Sequence, residues 1–125
     1  MIKMDETYFF DTYAIIEILN GNKNYKEYIN KNSVLTKLNI FEIFYKILRE
    51  EGRDKAKNIL DKYYISVVDY GKFIIEEASK FRLEYKKRKL SMSDCVGYII
   101  AKEIGIKFLT GDSQFKDLPN VEFVR

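Results

Sequence analysis

Short apolar runs alternate with helix-periodic stretches along nearly the whole chain, and this alternation restricts the fold more than any other feature. Residues 7–10, 34–38, 64–68, 107–110 and 121–124 read as strands, being short runs dominated by aromatic, β-branched and aliphatic side chains. The stretches 11–19, 23–30, 39–51, 53–63, 70–87 and 93–104 read as helices. Ile40, Phe41, Phe44, Ile47 and Leu48 share one helical face, as do Ile74, Ala78, Phe81 and Tyr85, while Asn20-Gly21, Gly52 and Gly105 supply stops. Strands separated by helices build a parallel sheet with right-handed crossovers and helices on both faces. The expected class is α/β, in one domain spanning 1–125, because no linker, repeat or low-complexity tract interrupts the pattern.

What the chain lacks narrows its chemistry. It has no histidine, which removes Ser-His and Cys-His nucleophile pairs, histidine-ligated zinc and any imidazole base. Acid-base work falls to carboxylates, Tyr, Lys or a metal-bound water. Its glycines form neither a P-loop nor a dinucleotide fingerprint. Cys95 is the only cysteine, so an internal disulfide is excluded and a reducing cytoplasmic setting is expected. No apolar run reaches bilayer length, and Asp5 and Glu6 follow Met4 where a secretory signal would be apolar. The net charge is +3, and if several acids gather in one pocket the remaining surface is more basic than that total, which suits a polyanionic partner.

Asp11, Glu42, Asp94 and Asp112 each fall at or just after a junction between an apolar run and a helical pattern. In an open parallel sheet the carboxyl ends of the strands face one crevice, where a divalent cation could be held and phosphate chemistry done. Each acid also has a purely structural reading. Asp11 suits an N-cap, and Ser91 with Asp94 matches a capping box. Glu42 stands four residues before Lys46 and on the face of Arg49, as a solvated ion pair does. Asp112, in Thr110-Gly111-Asp112-Ser113, has the setting of a turn residue bonding its own backbone. Asp69 follows the 64–68 run and opens a helix too, so topology alone selects a fifth acid.

The blocks around the four acids carry a resemblance to the PIN domain family, in particular to the small PIN ribonucleases that serve as VapC-type toxins. Phe9-Phe10-Asp11-Thr12 resembles the family's opening strand and its Asp-Thr end. Leu38-Asn39-Ile40-Phe41-Glu42-Ile43 is similar to the helix start that supplies the family's Glu. Leu90-Ser91-Met92-Ser93-Asp94-Cys95, followed by Ile99-Ile100-Ala101, resembles the segment of the third acid, and Leu109-Thr110-Gly111-Asp112-Ser113-Gln114-Phe115 the final block. The blocks occur in the family's order across essentially the whole chain. Tyr13 and Cys95 depart from it, standing where small or polar residues and Ala are common, and Tyr13 bears on access to the pocket.

The resemblance implies a five-stranded parallel sheet of order 3-2-1-4-5, with Asp11 and Asp112 flanking the crevice and Asp69 on a distant edge strand, left to cap a helix. It implies a metal-dependent endoribonuclease hydrolysing RNA phosphodiester bonds. Asp11, Asp94 and Asp112 would hold Mg2+ or Mn2+, hard cations that oxygen ligands suit, and Glu42 would orient or deprotonate the attacking water. Thr12, Thr110 and Ser113 would hydrogen-bond these groups from behind. The run Lys86, Lys87, Arg88 and Lys89 reads either as a phosphate track toward Asp94 or as solvated cations at a helix C-terminus. The partners implied are RNA, a cognate antitoxin and a second copy in a homodimer. The alternatives within the family are a PIN nuclease that processes ribosomal or other structured RNA, and a catalytically silent protein- or RNA-binding module.

Overall fold

The structure, a computed structural model, describes residues 6–125. Strand β1 (Thr7–Phe10) buries both Phe9 and Phe10, which the two-residue period of a strand turns to opposite faces. Such a strand needs cover on each side and belongs in the middle of a sheet. It pairs in parallel with β2 (Asn32–Val34) on one side and β3 (Lys107–Thr110) on the other, and β3 pairs with β4 (Val121–Phe123), giving the order β2-β1-β3-β4. Between β1 and β2 run α1 (Thr12–Leu19) and the 3-10 helix Lys23–Tyr28. The crossover from β2 to β3 carries α2 (Lys37–Glu51), α3 (Arg53–Tyr64), α4 (Lys72–Glu84) and α5 (Met92–Ile104). The chain therefore leaves β1 toward one edge and returns beside it as β3, which makes the carboxyl ends of β1 and β3 the switch point of the sheet.

Helix α5 is the central support of that point. It packs on β1 and β3 and buries every residue from Cys95 to Ala101. Gly97 sets the distance: a Cβ there would lie 2.5 Å from Phe9 Cε1 and 3.2 Å from Phe108 Cε1, so the helix sits closer than a side chain would permit. On the other face Phe10 shares a small cavity with Ile18 of α1 and Tyr63 of α3. Aromatics fill much of the core. Phe9 stacks on Phe108 with centroids 5.6 Å apart, Phe81 on Tyr98 at 4.7 Å, and Phe115 lies 4.8 Å from Phe108. Tyr25 and Tyr28 donate from their hydroxyls to the Val124 carbonyl and the Glu122 carboxylate, tying the chain around β4 to the 3-10 helix.

The α/β class and the parallel sheet agree with expectation, but the sheet among the described residues has four strands instead of five. The expected strand at 64–68 shrinks to one bridge, Leu35 with Val67, because α3 runs on through Tyr64 and the Ser66 and Val67 amides then turn back onto the Tyr63 and Tyr64 carbonyls. Two backbone bonds hold that bridge, Leu35 N–H to Ser66 at 3.2 Å and Val68 N–H to Leu35 at 2.9 Å. The second strand also lies earlier than 34–38, since Thr36 caps α2. Helix α4 stops at Glu84, short of the basic run, which forms the turn into α5.

Candidate active site

Asp11 leaves β1 at the switch point, its backbone N–H bonding the Leu109 carbonyl at 3.1 Å. Its side chain is 2% exposed; Oδ1 accepts from the Thr12 amide at 2.8 Å and Oδ2 from the Thr110 hydroxyl at 2.7 Å. Asp112, after β3, donates its own N–H to Thr110 Oγ1 at 3.1 Å, while its Oδ1 accepts from Gln114 at 2.9 Å in the expected turn. Asp94 completes the expected capping box of α5, Oδ2 accepting from Ser91 N–H at 2.9 Å and Ser91 Oγ from Asp94 N–H at 3.1 Å. These caps and turns fix the backbones from which the acids project, so the structural roles coexist with proximity to one another.

Glu42 departs from its ion-pair reading. Lys46 pairs with Glu50 at 2.7 Å and Arg49 with the same carboxylate at 3.1 Å. Glu42 Oε1 instead accepts from the Thr12 hydroxyl at 2.6 Å and the Ser93 hydroxyl at 2.8 Å. Behind Thr12 stands Asn39, fully buried, whose amide donates to Thr12 Oγ1 at 3.0 Å. The Asn39 Oδ1 accepts from the Thr36 amide at 3.0 Å and the Thr36 hydroxyl at 2.8 Å. Asn39, Thr36 and Ser93 were not among the sequence candidates. The local signal for Thr36 and Asn39 is the Thr-x-x-Asn box that starts α2 and places Asn39 three residues before Glu42; Ser93 has no such signal of its own.

Two of the acids, Asp11 and Asp94, are shifted by their surroundings. Burial first, then the charge of Asp94 and, more weakly, that of Glu42, push the Asp11 carboxyl well above the ordinary carboxylate range, against the opposing bonds from Thr110 and Thr12. Burial likewise leads in raising Asp94; the bonds from Ser91 oppose it, and the charges of Asp112 and Glu42 add to it. The charges acting most strongly on Asp11 and Asp94 are all acidic. Such a set fits a hard divalent cation in donor chemistry and in charge. As the side chains stand, no group of three or more His, Cys, Asp or Glu among the described residues is arranged to hold a metal ion.

The other sequence candidates have different settings. Ser113 is exposed, with its backbone carbonyl bonded to Lys116 N–H at 3.2 Å. Asp69 lies outside the cluster, its side chain 91% exposed and 3.9 Å from Lys37. It does not cap α4, whose N-cap is Gly71 without a side-chain bond, so its expected capping role is corrected to that of a solvated surface acid. Lys86, Lys87 and Lys89 are exposed in the turn before α5. Arg88 is committed elsewhere, its guanidinium bonding both Asp117 oxygens at 2.8 and 3.0 Å and the Gln114 carbonyl at 2.5 Å. Tyr13 lies half-buried against Gly111, where an added Cβ would collide with its ring and with the Val124 carbonyl. No helix among the described residues is long and apolar enough to cross a membrane.

A family model described as PIN domain matches residues 8–121. Comparison with curated proteins returns no match. Similar solved structures include a toxin-antitoxin complex from Klebsiella pneumoniae, with TM-score 0.73 and 18% identity over 92% of this chain and 95% of that one. VapBC2 from Rickettsia felis, bound to a DNA fragment from its promoter, gives TM-score 0.71 and 17% identity over 95% and 99% of the two chains. DNA-bound VapBC from Salmonella typhimurium gives 0.72 and 17% over 98% and 97%. At these identities the likeness is one of fold.

Proposed function

The chain belongs to the PIN domain family, and from that premise we propose that it is a metal-dependent endoribonuclease acting as the toxin of a toxin-antitoxin pair. The observation that carries the reading is the group of Asp11, Glu42, Asp94 and Asp112 at the switch point, where burial and mutual charge raise Asp11 and Asp94. Ionising such a group costs folding free energy, which a catalytically silent module has no reason to bear. Asp11, Asp94 and Asp112 are the residues to hold Mg2+ or Mn2+; such a cation, when bound, offsets phosphate charge and acidifies a water.

The chain's own groups do the rest. Glu42 orients the attacking water and takes its proton, a role open to a carboxylate in a protein without histidine. Thr110 and Thr12 hold Asp11, and Ser91 holds Asp94, so that both carboxylates keep fixed positions from which they would hold the cation against the scissile phosphate. Lys86, Lys87 and Lys89, in the turn that leads into α5, draw the RNA backbone toward Asp94. The likeness to solved toxin-antitoxin complexes supports an antitoxin as the physiological partner.

Calorimetry with MgCl2 and MnCl2, paired with cleavage of a total RNA substrate, tests the reading. The wild type is expected to bind one of the ions and cut RNA, and Asp94→Asn to lose cleavage while remaining folded. Expressed alone in a bacterium, the wild type should arrest growth and Asp94→Asn should not. A folded wild type that binds neither ion and leaves RNA intact removes the proposal.

A further inference from the structure

We infer that Ser93 and Asn39 are positioning residues that fix the carboxylate of Glu42, the one through its own hydroxyl and the other through Thr12; the inference rests on the nuclease reading above. Glu42 is exposed on α2, where a glutamate ordinarily sweeps through solvent. Here two hydroxyls from two other helices, Thr12 of α1 and Ser93 of α5, converge on the same oxygen at 2.6 and 2.8 Å.

The direction of each proton follows from what holds each hydroxyl oxygen. A hydroxyl has one proton to give and two lone pairs. Thr12 Oγ1 already accepts from the Asn39 amide at 3.0 Å, so its proton is free for Glu42. The Asn39 amide is itself held, because its Oδ1 accepts twice from Thr36 and the side chain has no exposure. Ser93 spends its proton on Glu42, so in the 3.0 Å bond between the Ser91 and Ser93 hydroxyls it is Ser91 that donates. Ser91 Oγ in turn accepts from Asp94 N–H at 3.1 Å. Two fixed chains of donors thus end on Oε1, which on the nuclease reading leaves the other Glu42 oxygen for the attacking water. The arrangement ties α1, α2 and α5 to one atom of the site.

Single-turnover RNA cleavage and RNA affinity, measured on the full chain with metal, test this. Ser93→Ala should cut about tenfold more slowly, the factor expected for one hydrogen bond to a charged group, with RNA affinity unchanged; Ser93→Thr should restore the rate. Asn39→Ala should slow cleavage similarly, yet cause no further loss in a Thr12→Val background, since both changes break one chain of donors. By NMR without metal, the Asn39 side-chain amide protons should exchange with water about tenfold faster in Thr12→Val than in the wild type. A folded Ser93→Ala that cleaves at the wild-type rate overturns the inference, as do losses confined to RNA affinity or additive losses in Asn39→Ala/Thr12→Val. If the wild type cuts no RNA the nuclease reading fails, and the exchange measurement alone then decides whether Asn39 holds Thr12, unchanged exchange overturning it.

Discussion

At Asp11 a carboxylate is buried almost completely beside other acids, and burial and the charge of Asp94 raise its pKa in the folded state. A folded pKa above the unfolded value means that the native state holds the proton more tightly. This contribution to stability is full below the unfolded value of about 3.9 and is lost as pH rises through the folded pKa. Asp11→Asn removes the ionisation and keeps an acceptor for the Thr12 amide. In thermal unfolding without divalent ions, the variant should melt at or above the wild type at pH 7, with the difference shrinking toward pH 4. A variant that is less stable at pH 7 than at pH 4, relative to wild type, would show that the bond from Thr110 outweighs the repulsion. The position of Asp11 was legible because an acid at the end of a central strand is a topological fact. The partners of Glu42 were not, because local spacing pointed to Lys46, while the side chain reaches across to Thr12 and Ser93 on other helices. Asp69 carries the same local signal as Asp11, but it follows the Leu35–Val67 bridge instead of β1 or β3, and its side chain is exposed.

Among the elements, α5 shows how much a pattern of small residues can specify. Gly97 and Ala101, four residues apart, announce a helix face that approaches the sheet, and the structure sets Phe9 and Phe108 directly against Gly97. Ala at Gly97 gains helix propensity but must displace the Phe9 ring from a packed core, so overpacking should prevail at a net cost of about 1–3 kcal/mol. Urea unfolding of Gly97→Ala should show a lower midpoint with an unchanged m-value. An equal or higher midpoint would mean that Phe9 can yield. The strand expected at 64–68 shows the opposite case. Its apolar, β-branched residues match a strand, but α3 claims Tyr64 and the following turn claims Ser66 and Val67, leaving Leu35 a single bridging partner. Residue type there does not track burial, since Tyr64 and Ile65 are exposed, and a run this short does not reveal that the preceding helix will overrun it.

Across the whole molecule, the charge is divided more sharply than +3 implies. On the proposed reading four of the 19 acids gather at the crevice, so the rest of the surface is left with a larger cationic excess. Part of that excess lies in the turn between α4 and α5, immediately before the helix start that carries Ser93 and Asp94. The four cations of the run have different work. Arg88 is paired with Asp117 and bonded to the Gln114 carbonyl, and it lies 4.8 Å from the Tyr85 ring centroid, so it fastens the turn to the segment after β3. Lys86, Lys87 and Lys89 remain exposed and available to phosphate. Neutralising these three lysines should weaken RNA binding and flatten the slope of log K against log salt by about 0.7 for each phosphate that is no longer neutralised. Arg88→Ala should instead lower the melting temperature and leave that slope in place. If the triple lysine variant keeps the wild-type slope, the lysines are solvated cations beyond the end of α4, and the RNA path into the crevice must approach from another side.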